Sequence, residues 1–159
     1  MSADSVALSP SSKAYRAIPV GGLIAGVLDI TAAFINVGLR GRSPVWVLQS
    51  IAVGLLGADA FKGGSRTAVL GALLHFLIAT TATAVYFAAS RWLRVLVRQA
   101  ISCGFVYGVI VYLFMNLIVL RFAYPLRISY PLKAVVTGLL IHMFCVGLPI
   151  SLVVRRYSK

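Results

Sequence analysis

Three side chains have the chemistry and placement to hold a proton or a cation: Asp29, His75 and His142. Each lies inside a long apolar run. Asp29 sits near the middle of the first run. A carboxylate at a bilayer centre costs about 2.5–3.5 kcal/mol on insertion scales, so it persists where it faces a bundle interior, is protonated or has a partner. An ion or proton site would use it that way. A structural Asp that hydrogen-bonds two helices together would satisfy the same constraint. His75 and His142 each lie about 12 Å inside their runs, at a rise of about 1.5 Å per residue. Three uses compete for them. They can be buried polar residues bonded between helices, members of a proton relay or ion pathway with Asp29, or the two axial ligands of one b-type haem. In the haem reading Arg66 and Lys133, at the same end, would meet the propionates. Cys145 lies three residues after His142, on the same helix face, but structural zinc wants four protein ligands and catalytic zinc three. No metal site is expected.

Enzyme chemistry finds little support. The chain has 3 Asp+Glu in all, which leaves almost no room for a carboxylate pair. Walker A, dinucleotide-binding, Gly-x-Ser-x-Gly and His-Glu-x-x-His patterns are missing from the sequence. The expectation is a protein that is not an enzyme.

The elements that position these residues follow from composition. Hydrophobic residues make up 60% of the 159 and charged residues 11%. Soluble domains hold roughly 45–50% apolar and about 25% charged residues, so this apolar surface calls for lipid. Four runs are long enough to cross ~30 Å of hydrocarbon, which takes about 20 helical residues: residues 17–39, 67–90, 99–120 and 134–154. Continuous rather than alternating hydrophobicity indicates helices, not barrel strands. Basic residues bracket every run, and Tyr15, Trp92, Tyr124, Tyr130 and Tyr157 sit near the borders as interfacial anchors. That placement turns the net charge of +12 toward lipid phosphates and away from nucleic acid. Residues 1–15 lack helical periodicity and are expected as a disordered tail, followed by one transmembrane domain over 16–159. The two cysteines, Cys103 and Cys145, lie inside apolar runs and are expected as small buried hydrophobes.

A fifth apolar piece, 44–61, is harder to place. Ser43-Pro44 reads as N-cap and first helical residue. Its clearly apolar part ends near Gly57, after about 14 residues, too short for a comfortable span. A re-entrant or interfacial helix is expected, with a fifth span as the alternative. With four spans the basic residues divide eight to seven between the two sides, which leaves orientation open under the positive-inside rule. Pro149 should bend the last span.

The sequence also reads as two related halves. Arg16, Gly22 and Gly26 recur as Arg98, Gly104 and Gly108, each 82 residues on. Arg66, Gly71 and His75 recur as Lys133, Gly138 and His142, each 67 residues on. Two helical hairpins, the first carrying the short helix as an insertion, would explain both offsets, and with four spans they run parallel. The Gly22-x-x-x-Gly26 and Gly104-x-x-x-Gly108 pairs permit close helix packing.

Three segments carry a likeness: Gly21-Gly-Leu-Ile-Ala-Gly26, Gly54-Leu-Leu-Gly57 and Gly71-Ala-Leu-Leu-His75-Phe. Through them the chain resembles small four-span bacterial inner-membrane proteins of unknown function. The resemblance implies an inner-membrane location and supplies no activity. The fold expected is an all-α, integral-membrane four-helix bundle with one additional short re-entrant or interfacial helix. Its expected work is that of a small transporter or channel-like protein with Asp29, His75 and His142 at its centre, functioning as a homodimer in the lipid bilayer. The alternative is a non-catalytic membrane subunit, haem-binding or not.

Overall fold

The computed structural model describes residues 12–123 and 131–158. The tail before residue 12, the anchors Tyr124 and Tyr130, and the cations Arg127 and Lys159 lie outside the described residues. Helix begins within the stretch expected as tail, with a turn, α1 (Ser12–Tyr15), whose Ala14 is buried. Then come α2 (Ala17–Gly38), α3 (Pro44–Leu56), a 3₁₀ segment Gly57–Lys62, α4 (Gly64–Trp92), α5 (Val95–Arg98), α6 (Ala100–Phe114), a π-helical segment Met115–Val119, α7 (Leu120–Ala123), α8 (Leu132–Ile141), a second π-helical segment His142–Gly147, and α9 (Leu148–Tyr157). No strand occurs among the described residues.

Burial runs opposite to that of a soluble domain. The fully buried positions hold mostly small or hydroxyl side chains, such as Ala17, Ala25, Thr83, Ala100 and Ser151. Large apolar side chains face outward, Leu73 at 64% exposure and Leu117 at 62% among them. Small residues let helix backbones approach, and lipid solvates the leucines. Thr83 and Ser151 satisfy their hydroxyls on Ala79 and Leu148 carbonyls of their own helices, so their burial leaves no orphaned polar atom. This is a membrane-embedded helical protein.

Five helices among the described residues are long and apolar enough to cross a membrane, where the sequence alone counted four. The additional one is Pro44–Lys62. It is not one straight rod. Ser43 caps it, accepting from the Trp46 amide at 3.2 Å, and Pro44 opens it as expected. Gly57 then leaves helical geometry at φ +59°. The Trp46 and Phe61 rings stack with centroids 5.7 Å apart. In a continuous helix those residues would stand about 22 Å apart, so the segment folds back on itself. The 13 residues of α3 reach about 20 Å, short of the ~30 Å core.

Helix directions agree. Gly22 meets Thr80, Gly26 meets Phe76, and Tyr15 meets Phe87, so α2 and α4 are antiparallel. The segment between them therefore leaves and returns at the same end of the bundle. Likewise Gly104 meets Gly147 and Ser151, while Gly108 meets His142 and Met143, so α6 runs antiparallel to α8–α9. The polar face of α3 explains its seat. Gln49, buried, donates to the Gly64 carbonyl at 3.0 Å, and Gly71 is bare because the Leu48 carbonyl lies where its Cβ would be.

Before Pro149, where a bend is expected, the helix changes type. Proline has no N–H and crowds the carbonyl four residues back, here Cys145. The turn just before it, His142–Gly147, is π-helical, with the Leu148 amide bonded to the Met143 carbonyl.

Candidate functional site

Asp29 on α2, His75 on α4 and His142 at the end of α8 line the same two adjoining cavities. The inner cavity is about 80 Å³, walled by Ala25, Ile78, Ala79, Ala82, Val111 and Val146. The outer is about 410 Å³ and runs past Ala33, Val47, Tyr112, Asn116 and Leu120. Those residues lead toward the end that carries Arg40, Lys62 and Lys133. Ile51 of α3 and Met115 border both cavities. The short helix is thus part of the cavity wall.

Close packing positions the histidines. Because Gly26 has no side chain, α4 lies against α2, and His75 Nε2 donates to the Gly26 carbonyl at 2.9 Å. A carbonyl only accepts, so in neutral His75 the proton sits on Nε2 and Nδ1 is left to take a second one. His142 is tied differently. Its Nδ1 donates to the Gly138 carbonyl of its own helix at 2.9 Å, leaving Nε2 as the acceptor. The Tyr112 ring meets His142 edge-on at 5.4 Å. Each imidazole is held to a backbone carbonyl by one of its two nitrogens.

Asp29 is half-buried. Among the described residues it makes no hydrogen bond or ion pair; the ion pair the structure records, Lys62–Asp59 at 2.7 Å, is exposed, and neither of its residues lines the cavities. The expectation of a structural Asp clamped to a neighbouring helix therefore loses its main support. An intramembrane carboxylate with no fixed partner, facing a cavity, fits a transient guest.

Two π-helical segments abut the cavities, one opening at Met115 and the other at His142. Such turns misalign backbone hydrogen bonds and recur at functional sites. In the first, the Asn116 side-chain amide donates to the Tyr112 carbonyl at 2.9 Å. Tyr112 was not singled out from the sequence. The signal was there, since Tyr112 lies four residues earlier on the same helix face. Of the other polar residues on α3 and α4, Gln49 is spent on α4, Thr80 packs on Gly22, and Thr81 is exposed and bonds to Leu77.

Comparison with known proteins returned no match to a family model, a curated protein or a solved structure. The site is therefore read from its own geometry.

Groups of three or more His, Cys, Asp or Glu placed to share a metal do not occur among the described residues. The two histidines fit haem poorly. With Nε2 of His75 spent on Gly26, iron would have to be held through Nδ1 on that side. What the arrangement offers is one carboxylate and two imidazoles around a space that narrows from the outer cavity to the inner one.

Proposed function

We propose that this chain is a small membrane transporter or channel-like protein that passes protons or a small cation through the Asp29–His75–His142 cavity. The observation that carries this reading is the convergence of three ionisable groups, from three separate helices, on one intramembrane space. Asp29 binds the cation or proton. His75 and His142 accept and release protons beside it. The re-entrant α3 contributes Ile51 to the wall and narrows the entrance.

In this reading α2, α4, α6 and α8–α9 cross the membrane, and Pro44–Lys62 enters and returns on one side. The antiparallel packing of α2 on α4 supports it. Packing also supports the two-hairpin repeat. Gly22 and Gly26 touch Thr80 and Phe76. Moved by the sequence offsets of 82 and 67 residues, these become Gly104 and Gly108 touching Gly147 and Met143, and both contacts occur. The halves differ where α3 is inserted: Gly71 receives Leu48, whereas Gly138 receives the Tyr112 ring. One chain of this size encloses little space, so the working unit is a homodimer. The bacterial inner membrane is the setting implied by the sequence resemblance.

The test is proton or monovalent-cation flux into proteoliposomes holding the purified chain, compared with Asp29→Asn. Flux well above protein-free vesicles that Asp29→Asn abolishes is expected. Flux that Asp29→Asn leaves unchanged removes the site from the mechanism.

A further inference from the structure

The two hairpins are not packed alike at their seams. On one side α2 lies closely along α9 and its preceding π-turn. On the other, α4 and α6 stand apart, bridged by side chains: the Tyr86 and Tyr107 rings meet at 4.9 Å, and the Tyr107 hydroxyl donates to the Ala82 carbonyl at 2.7 Å. Above this bridge a groove of about 490 Å³ opens between the two helices. Its walls include Val85, Ala89, Leu93, Leu96, Val106 and Ile110. Tyr86 also lines it, but its hydroxyl is spent on the Leu96 carbonyl at 3.0 Å. The groove therefore offers hydrocarbon, with its aromatic polar tips already satisfied.

Its length and its rim identify the occupant. From Gln99 at the rim to Ile110 at the floor, the α6 wall descends about 16 Å, close to half the ~30 Å hydrocarbon core. That is the reach of an acyl chain within a single leaflet. Gln99 and Ser102, which line the groove at this end, are exposed, and the sequence neighbours of lining residues Leu93 and Gln99 are Arg94 and Arg98, both exposed and neither with an acidic partner among the described residues. Guanidinium groups recognise phosphate by paired N–H donors. An apolar cleft facing lipid is filled by lipid tails, and two cations on the turn that joins its walls can select the headgroup.

We propose that the α4–α6 groove is a binding site for an anionic glycerophospholipid, with an acyl chain between α4 and α6 and its phosphate on Arg94 and Arg98. The inference rests on the membrane-embedded fold and is independent of what passes through the Asp29 cavity. A tail in the groove supplies the packing that α4 and α6 do not supply each other, so the lipid is a structural component of that seam.

Native mass spectrometry of the full chain in detergent, titrated separately with dioleoylphosphatidylglycerol and dioleoylphosphatidylcholine, tests it. Retention of the anionic lipid at roughly thirtyfold lower concentration is expected, the size set by two basic residues at an anionic surface. The double variant Arg94→Gln/Arg98→Gln should abolish that preference, and Ile110→Trp, which fills the groove, should weaken retention of both lipids. Arg40→Gln/Arg42→Gln, at the other end, should leave the preference intact. Equal retention of the two lipids overturns the proposal, as does a preference that survives Arg94→Gln/Arg98→Gln. Copper-catalysed dimers through Cys103 in a Cys145→Ser chain, with lipid retention unaffected by Ile110→Trp, would assign the groove to a second copy instead and also overturn it.

Discussion

Gly26 on α2 accepts a hydrogen bond from Nε2 of His75 on α4, across 2.9 Å, at the one place where a side chain on residue 26 would collide with the Phe76 ring. Packing and chemistry meet here. The bare glycine draws the helices together, and the closeness fixes which imidazole nitrogen faces the backbone.

Removing that bond should cost little stability. Interhelical hydrogen bonds within membranes average about 0.6 kcal/mol and reach about 1.7. His75→Ala should therefore fold and lose stability within that range in a detergent unfolding titration, while its transport falls sharply. A variant that unfolds outright would make His75 a structural residue first.

Gly26 and Gly108, paired in the proposed repeat, differ in what a methyl group would strike. At Gly26 the obstacle is the edge of the Phe76 ring; at Gly108 it is the His142 carbonyl and the Met143 Cα. A ring can turn and a backbone cannot. Overpacking costs typically about 1–3 kcal/mol, and Gly108→Ala should lie at the upper end with Gly26→Ala below it. Melting temperatures of the two variants, read side by side, check the order.

Gly71→Ala should dislodge the short helix, because the new Cβ would occupy the position of the Leu48 carbonyl. Gly38→Ala is the control, with nothing within 4 Å of its Cβ. Limited proteolysis between residues 41 and 64 should accelerate in Gly71→Ala and stay unchanged in Gly38→Ala. Equal rates would mean that α3 is not held by this contact.

The return of Pro44–Lys62 to its starting side can be read directly. Single cysteines at Arg42 and Ser65, in a Cys103→Ser/Cys145→Ser chain, should react with an impermeant maleimide from the same face of the membrane, and one at Ser158 from the opposite face. Labelling of positions 42 and 65 from opposite faces would make the segment a fifth crossing.

Much of this was legible in the sequence because apolar length and terminal cations are one-dimensional quantities. The starts of α2 and α3 fell where composition put them, and matched depth made it foreseeable that His75 and His142 would line one space. Three things were not legible. The fold-back at Gly57 depends on a backbone angle and on Trp46 finding Phe61. The different anchoring of the two histidines depends on which carbonyl each ring reaches. The open α4–α6 seam depends on how the two hairpins dock, and internal repetition alone predicts a symmetric pair of seams.

The central claim is that Asp29 faces a space continuous with water at the end of the bundle bearing Arg42. The most direct measurement is the reaction of Asp29→Cys, in the Cys103→Ser/Cys145→Ser chain reconstituted in vesicles, with a charged, impermeant methanethiosulfonate added from each side. The account predicts modification from the side on which a cysteine at position 42 also reacts, far faster than at the outward-facing control Ile35→Cys. No modification from either side, or a rate equal to that control, would contradict it.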